Sequence, residues 1–194
     1  MSLPEAIDPT SDTEPSKLTA IYIAVLAVLI AVASIGDDGA AKTMIRSSID
    51  ITDTYSFFQA KNIRQTSYRL ASDVLEAELA NPALPEAARA QLQKKVENYR
   101  GTAERYESEP STGEGKKELL AKAKRLEAER DIALRQDPYF DYAQGLLQIA
   151  VVLASVSLIV GGSFLLWVSG IMGALGTIAM INAFTLWVEI PWLS

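Results

Sequence analysis

The chain contains no cysteine and no histidine. Without cysteine it can form no disulfide, thiolate nucleophile or sulfur-ligated metal centre, and without histidine it lacks the commonest general base and haem or zinc ligand. No cofactor is therefore expected. The formal net charge of −6 also argues against nucleic acid as a partner, because binding phosphates needs a basic patch. A third absence is local. From 142 to 188, 47 consecutive residues, there is no Asp, Glu, Lys or Arg, and residues 18–35 are likewise free of charge.

Those charge-free stretches are apolar and long. About 20 apolar residues cross a hydrocarbon core of roughly 30 Å, so 142–188 can cross twice if the chain turns at Gly161-Gly162-Ser163. With the run from Leu18 to Ile35 this makes three spans. The small-residue triplet Ala31-Val32-Ala33 resembles a signal-peptide cleavage site, but the segment before it is acidic where a signal peptide is basic. The span reading is the better one. Residues 1–17, with Pro4, Pro9 and Pro15, read as a flexible acidic tail.

Between the apolar ends, residues 37–144 carry 17 of the 18 Lys+Arg and 19 of the 24 Asp+Glu. This mixed-sign region reads as solvated helices. Gly36-Asp37-Asp38-Gly39 marks the exit from the first span, as a hinge or a simple boundary. From 40 to 80 no proline or glycine interrupts, and Ile63, Thr66, Leu70, Val74 and Ala77 follow helical spacing. Asn81-Pro82-Ala83-Leu84-Pro85 then turns the chain. A second helix carries Ala88, Leu92, Val96, Tyr99, Ala103 and Tyr106 on one face, and residues 109–115 break it. A third, from Lys116 with Leu119, Ala123 and Leu126 on one face, is expected to stop at Asp137-Pro138.

The region leaves and re-enters the membrane at one surface, so three equal up-and-down legs do not work. The expected solution is that the long first helix goes out and the next two return end to end against it, making 109–115 an elbow. The alternative is that the segment after Gly39 lies along the membrane and the other helices form a hairpin. The fold class is thus an all-α membrane protein with three transmembrane helices (18–36, 145–160 and 164–188) and a turn at 161–163. An extramembrane, antiparallel coiled-coil-like helical domain (37–144) lies between the first and second, and a short C-terminal end (189–194) follows the third.

Aromatic residues place the interfaces. Trp167 and Trp187 are 20 residues apart, about 30 Å on a helix. Trp187 and Trp192 then lie at one surface with Tyr139 and Tyr142, and Trp167 with Tyr22 at the other. No ionisable residue lies in the spans, which weighs against a proton pump or ion-coupled carrier. Gln148 and Asn182 are the notable polar side chains, expected to bond between helices or to line a path. Small residues recur at Ala150, Ala154, Ser157 and Gly161, and again at Ser169, Gly173, Gly176 and Thr177. Such stripes let helices approach closely, within one chain or between chains.

The run Phe57-Phe58-Gln59-Ala60-Lys61-Asn62-Ile63-Arg64-Gln65-Thr66 sets Phe57, Lys61, Arg64 and Tyr68 near one helix face. These residues could meet an anionic headgroup or a partner helix. The plainer reading is a packed amphipathic helix whose cations reach out to water. Together with Asp137-Pro138-Tyr139-Phe140-Asp141-Tyr142 and 147–155, this run resembles an uncharacterised family of small bacterial three-span membrane proteins known only as a domain of unknown function. The resemblance implies a bacterial inner membrane and carries no activity or catalytic residue. Its members often have basic residues where this chain has Gly161-Gly162-Ser163.

Lys42, Arg46, Arg130 and Arg135 outnumber Lys17 near the membrane ends, which favours a cytoplasmic middle region. A basic turn in the family would imply the reverse orientation. No catalytic or metal-binding residue is expected, and the chain reads as a non-enzyme. Its function is expected to be structural, scaffolding or accessory, as a homo-oligomer or a subunit of a larger membrane complex. The alternative is a pore or transport oligomer lined by polar residues of the hairpin.

Overall fold

The computed structural model describes residues 14–188. The expected flexible tail before residue 14, the interface residue Trp192 and the end 189–194 lie outside the described residues. Among the described residues the chain forms four α-helices and no strand: α1 (Glu14–Leu79), α2 (Glu86–Glu107), α3 (Lys116–Val160) and α4 (Ser163–Thr185). Three of these, α1, α3 and α4, contain stretches long and apolar enough to cross a membrane.

One expected break, at Asp137-Pro138, is absent, and the exit marked at Gly36 to Gly39 does not interrupt its helix. α1 runs unbroken through Gly36 and Gly39, because Gly36 is a point of close packing. A β-carbon there would collide with the Phe140 ring. α3 likewise passes through Pro138. Proline has a helical φ and forfeits one backbone bond at a cost of about 3 kcal/mol in a helix interior. Its neighbours Ala133, Tyr139, Phe140 and Ala143 are all buried, and their packing offsets that loss. The turn at the glycines is where the spacing puts it: α3 ends at Val160, Gly161 takes a left-handed φ of 71°, and α4 begins at Ser163.

The chain divides into two compact units. The apolar unit comprises Met1–Met44 with Asp131–Ser194. Its core is built from Leu26, Ala33, Ala143, Leu147, Ala150 and Met180, with a second cluster of Ala40, Ala133, Tyr139, Phe140 and Ala183. Phe140 meets Phe184 edge-on, with ring centroids 4.9 Å apart. Alanine dominates these interiors, while Ile21, Val25, Val28, Ile159, Phe164 and Ile178 face outward.

The charged unit is Ile45–Arg130. Contacts along α1 run in opposite order to those on α2 and α3: Glu76 pairs with Arg100, Gln65 with Ala103 and Glu107, Lys61 with Glu114, and Tyr55 with Glu127. α2 and then α3 thus return against α1, and the break between them is an elbow. The first turn is held by Arg89, whose guanidinium donates to Leu79 O at 2.9 Å and Asn81 O at 3.1 Å. A cation there suits the negative end of the α1 dipole. At the elbow, Glu118 accepts from Ser108 Oγ at 2.7 Å and from the Glu109 backbone N–H at 3.2 Å.

Candidate functional site

Neither unit presents a catalytic constellation among the described residues, so each is built up here from its polar groups. In the apolar unit the small-residue stripes bring three helices of one chain together. A β-carbon on Gly173 would come 2.9 Å from the Tyr22 hydroxyl and 3.0 Å from Leu26 Cδ2, and one on Gly176 would come 2.8 Å from Leu147 Cγ. Ala150, Ala154, Ser157, Ser169, Gly173 and Gly176 are buried. Ser169 Oγ donates to Ala150 O at 2.6 Å, and Tyr22 OH donates to Ser169 O at 2.9 Å. The result is a polar stitch from α1 through α4 to α3. Thr177 returns its hydroxyl to Gly173 O, and Ser157 donates to Gly162 O.

Several expected roles change. Gly161 is exposed in the turn, with open space around it, so it shapes the chain reversal instead of packing a helix pair. Tyr22 points its hydroxyl inward to Ser169, and Tyr139 is 3% exposed and donates to Val188 O. These two are bundle-packing residues, while Tyr142, Trp167 and Trp187 are exposed as interfacial anchors would be. Asn182 bonds to the segment just past α4: its amide nitrogen donates to Val188 O at 2.9 Å and its amide oxygen accepts from Val188 N–H at 2.8 Å. One side-chain amide thus satisfies both backbone groups of a residue outside the helix. Gln148 faces outward from α3.

The charged unit reverses the usual arrangement. On α1, residues 47, 51, 54, 58, 61, 65, 68 and 72 alternate by four and three and face α2 and α3. They read Ser, Ile, Thr, Phe, Lys, Gln, Tyr and Ser, and of these Ser47, Ile51, Thr54, Lys61, Gln65 and Ser72 are buried. A polar interior of this kind is stable only if every group is satisfied, and among the described residues no buried side-chain N or O lacks a partner.

Gln65, 1% exposed, is the centre of that network. Its amide nitrogen donates to Ala103 O at 2.9 Å and Glu107 Oε2 at 2.8 Å, and its carbonyl accepts from Lys116 Nζ at 2.8 Å. Lys116 lies 5.5 Å from the Phe58 ring centroid. One turn earlier, Lys61 Nζ sits 5.2 Å from the centroid of Phe57 and 5.3 Å from that of Tyr106, and pairs with Glu114 at 3.4 Å. Tyr68 stacks against Tyr99 and Tyr106. Both lysines are held in aromatic and carboxylate surroundings, as desolvated cations require.

The Phe57–Thr66 run is thus a clamp that fastens the elbow to α1. Lys61 is buried and does not reach water, while Arg64 is exposed. The Glu107 carboxyl is held below the ordinary glutamate range by the Gln65 amide first and by Lys116 second, against the opposing effect of burial. Glu118 is lowered too, chiefly by the Ser108 hydroxyl. In the apolar unit, Asp137 is pushed up by burial and by the charges of Asp141 and Asp37.

The opposite side of α1 in this unit is apolar. Ile49, Ile63, Leu70 and Val74 are 57%, 66%, 63% and 59% exposed. Ile63, Thr66, Leu70, Val74 and Ala77, whose spacing marked a helix, all face outward on α1. Sequence reasoning missed Gln65 and Lys116 because polar residues at core spacing look like a solvent face. The signal was present in the neighbours, since Phe58, Lys61, Gln65 and Tyr68 share one heptad register.

Residues 16–186 match the family model described as Domain of unknown function (DUF4337). No curated protein and no solved structure matches the chain.

Proposed function

The chain belongs to this family, and we propose that it is a non-catalytic integral membrane protein that acts as a structural, scaffolding or accessory subunit through helix association. In this reading α1, α3 and α4 cross the bilayer with the apolar unit, and the charged unit is an extramembrane coiled-coil-like domain. The bacterial inner membrane is the proposed location, with the charged unit on the cytoplasmic side.

One observation carries the reading: in the charged unit α1 turns a mostly polar face to α2 and α3 and leaves Ile49, Ile63, Leu70 and Val74 in the open. Water disfavours such a face by roughly 25 cal/mol for each Å² of apolar surface, and sizeable exposed apolar patches mark interaction sites. Against the pore alternative, three of the hairpin's polar groups are bonded within the chain: Ser157 to the Gly162 carbonyl in the turn, Ser169 across to the Ala150 carbonyl of α3, and Asn182 to Val188.

The test is extraction followed by identification. The protein is expected to stay with the membrane through alkaline carbonate, to dissolve only in detergent, and to emerge in mild detergent with other protein chains, whether copies of itself or different proteins. Release by carbonate, or recovery as one isolated chain, would contradict the proposal.

A further inference from the structure

The apolar unit carries a groove with a fixed mouth. Between α3 and α4 lies a cavity of about 720 Å³, with Tyr139 and Leu146 on one wall and Leu175, Ile178, Ala179 and Ile181 on the other. Just past α4, Leu186 takes a left-handed φ of 47°, a conformation strained for a residue with a β-carbon. It packs Leu186 against the Phe140 cluster and leaves Trp187, 87% exposed, at the groove. Three hydrogen bonds hold this rim: Val188 O accepts from the Tyr139 hydroxyl and the Asn182 amide, and Val188 N–H donates to the Asn182 amide oxygen.

The polar groups sort along the groove. Tyr139, Asn182 and Thr185 donate within the chain. The Tyr142 hydroxyl and the Trp187 indole N–H also belong to groove residues, and neither has a partner among the described residues. Tyr142 and Trp187 stand at the two ends of the charge-free stretch 142–188, the level at which such aromatics meet lipid headgroups. From Thr185 the groove follows α4 inward to Leu175, a rise of about 15 Å, half of a hydrocarbon core roughly 30 Å thick. It has the depth of one leaflet.

We propose that this groove holds the acyl chain of a membrane glycerolipid, whose ester or phosphate oxygens accept hydrogen bonds from Tyr142 and Trp187. The proposal rests on the membrane reading above and adds a ligand to it. Three observations select a lipid. The first is section: averaged over its length the groove is about 50 Å² across, against about 80 Å² for a helix 10 Å in diameter, so it takes an extended hydrocarbon chain and not a partner helix. The second is the order of polarity, apolar walls with free donors at one end, which is the order of an amphiphile. An indole N–H can only donate, and the ester region of a glycerolipid only accepts. The third is the one-leaflet depth, with the donors at the headgroup level.

The test uses the full chain, purified in mild detergent, stripped of lipid by detergent exchange and titrated with palmitoyl-oleoyl phosphatidylethanolamine, with bound lipid counted by native mass spectrometry. One lipid per chain is expected to bind before all others. Ile178→Trp, which fills the groove from an exposed position, is expected to abolish that first adduct. Val152→Trp, equally exposed on α3 and outside the groove, should leave it. Tyr142→Phe removes one donor and keeps the ring, and should weaken the first adduct about fivefold. A first lipid that binds no more tightly than later ones, that survives Ile178→Trp, that is lost equally with Val152→Trp, or that is unchanged in both Tyr142→Phe and Trp187→Phe overturns the proposal. So does a co-purifying polypeptide that Ile178→Trp displaces while no lipid is preferred. Carbonate extraction of the same membranes separates the two readings: a chain that stays in the membrane but shows no preferred lipid overturns the groove alone, and a chain released by carbonate overturns both.

Discussion

The two units solve different packing problems, with α1 and α3 each running through both. In the apolar unit the interior packs alanine, glycine and serine around Leu26, Leu147, Met180 and Phe140, and most large aliphatic residues face out. In the charged unit the interior face of α1 is serine, threonine, lysine and glutamine, and again large aliphatic residues face out. On the proposed membrane reading the outward apolar surface has a simple owner in the first case, because lipid tails are as apolar as leucine and close helix approach through small residues is what holds a bundle together. In the second case that reading places the surface outside the bilayer, and the same kind of surface calls for another protein. The lesson is that an outward aliphatic stripe means different things according to what solvates it.

That contrast can be broken most severely at Gly176. Gly176→Leu drives a side chain into Leu147 and the Ala143 carbonyl, and overpacking a tight contact costs about 3 kcal/mol. Thermal unfolding in detergent, followed by circular dichroism, should show that loss. Gly170→Leu on the same helix, where nothing lies within 4 Å, should leave the transition in place.

The matching disruption in the charged unit is smaller and of another kind. Gln65→Ala strips partners from the Ala103 carbonyl, Glu107 and Lys116 at a buried position, and unsatisfied buried polar groups cost about 2 kcal/mol in such cases. Lys61→Met replaces the buried cation by an apolar chain of similar length between the same two rings, and is expected to change stability by less than about 1 kcal/mol, since apolar replacements of buried ion pairs are often neutral. Denaturant titration of the purified protein separates the two. A larger loss for Lys61→Met than for Gln65→Ala would show that the lysine, and not the amide, centres the clamp.

A stabilising change is also expected. Gly101 lies exposed inside α2 with nothing near it, so Gly101→Ala should gain about 0.5–1 kcal/mol from helix propensity alone. A higher melting temperature than the parent checks it.

The gentlest comparison is pH. Glu107 and Glu118 have carboxyls lowered on folding, so their contribution is complete above the ordinary glutamate range and disappears as pH falls through their depressed values. Asp137 is raised, so its contribution has the opposite sign, greatest below the ordinary aspartate range and lost as pH rises through its raised value. On acidification, hydrogen-exchange protection relative to the intrinsic rate at each pH should therefore fall at the elbow around residues 107–118 while protection near 137 holds. Glu107→Gln should flatten the first response, and Asp137→Asn the second.

Much of this architecture was legible in the sequence, and the exceptions have physical causes. The charge-free stretches, the Asn81–Pro85 turn, the α2 and α3 stripes and the Gly161-Gly162 reversal each follow from a strong local signal. Val96, Ala103, Leu119, Ala123 and Leu126 are buried where their spacing puts them. Pro138 was misread because a residue that weakens a helix in water survives inside one that packs tightly, and the Phe140 ring against Gly36 is a contact between positions 104 residues apart that no local signal reveals. The role of the outer α1 face was not legible for a deeper reason. Apolar spacing identifies a face that wants burial without naming what buries it, and in the charged unit α2 and α3 occupy the polar side.

The most direct measurement is the mass of the intact protein in a mild detergent beside that of Leu70→Glu, by native mass spectrometry. The expected result is a parent mass above that of one chain, made up by further copies or by other proteins, and an isolated chain in the variant, with the same helical content in both. A parent recovered as one isolated chain, or a Leu70→Glu assembly of unchanged mass, would contradict association through the outward face of α1.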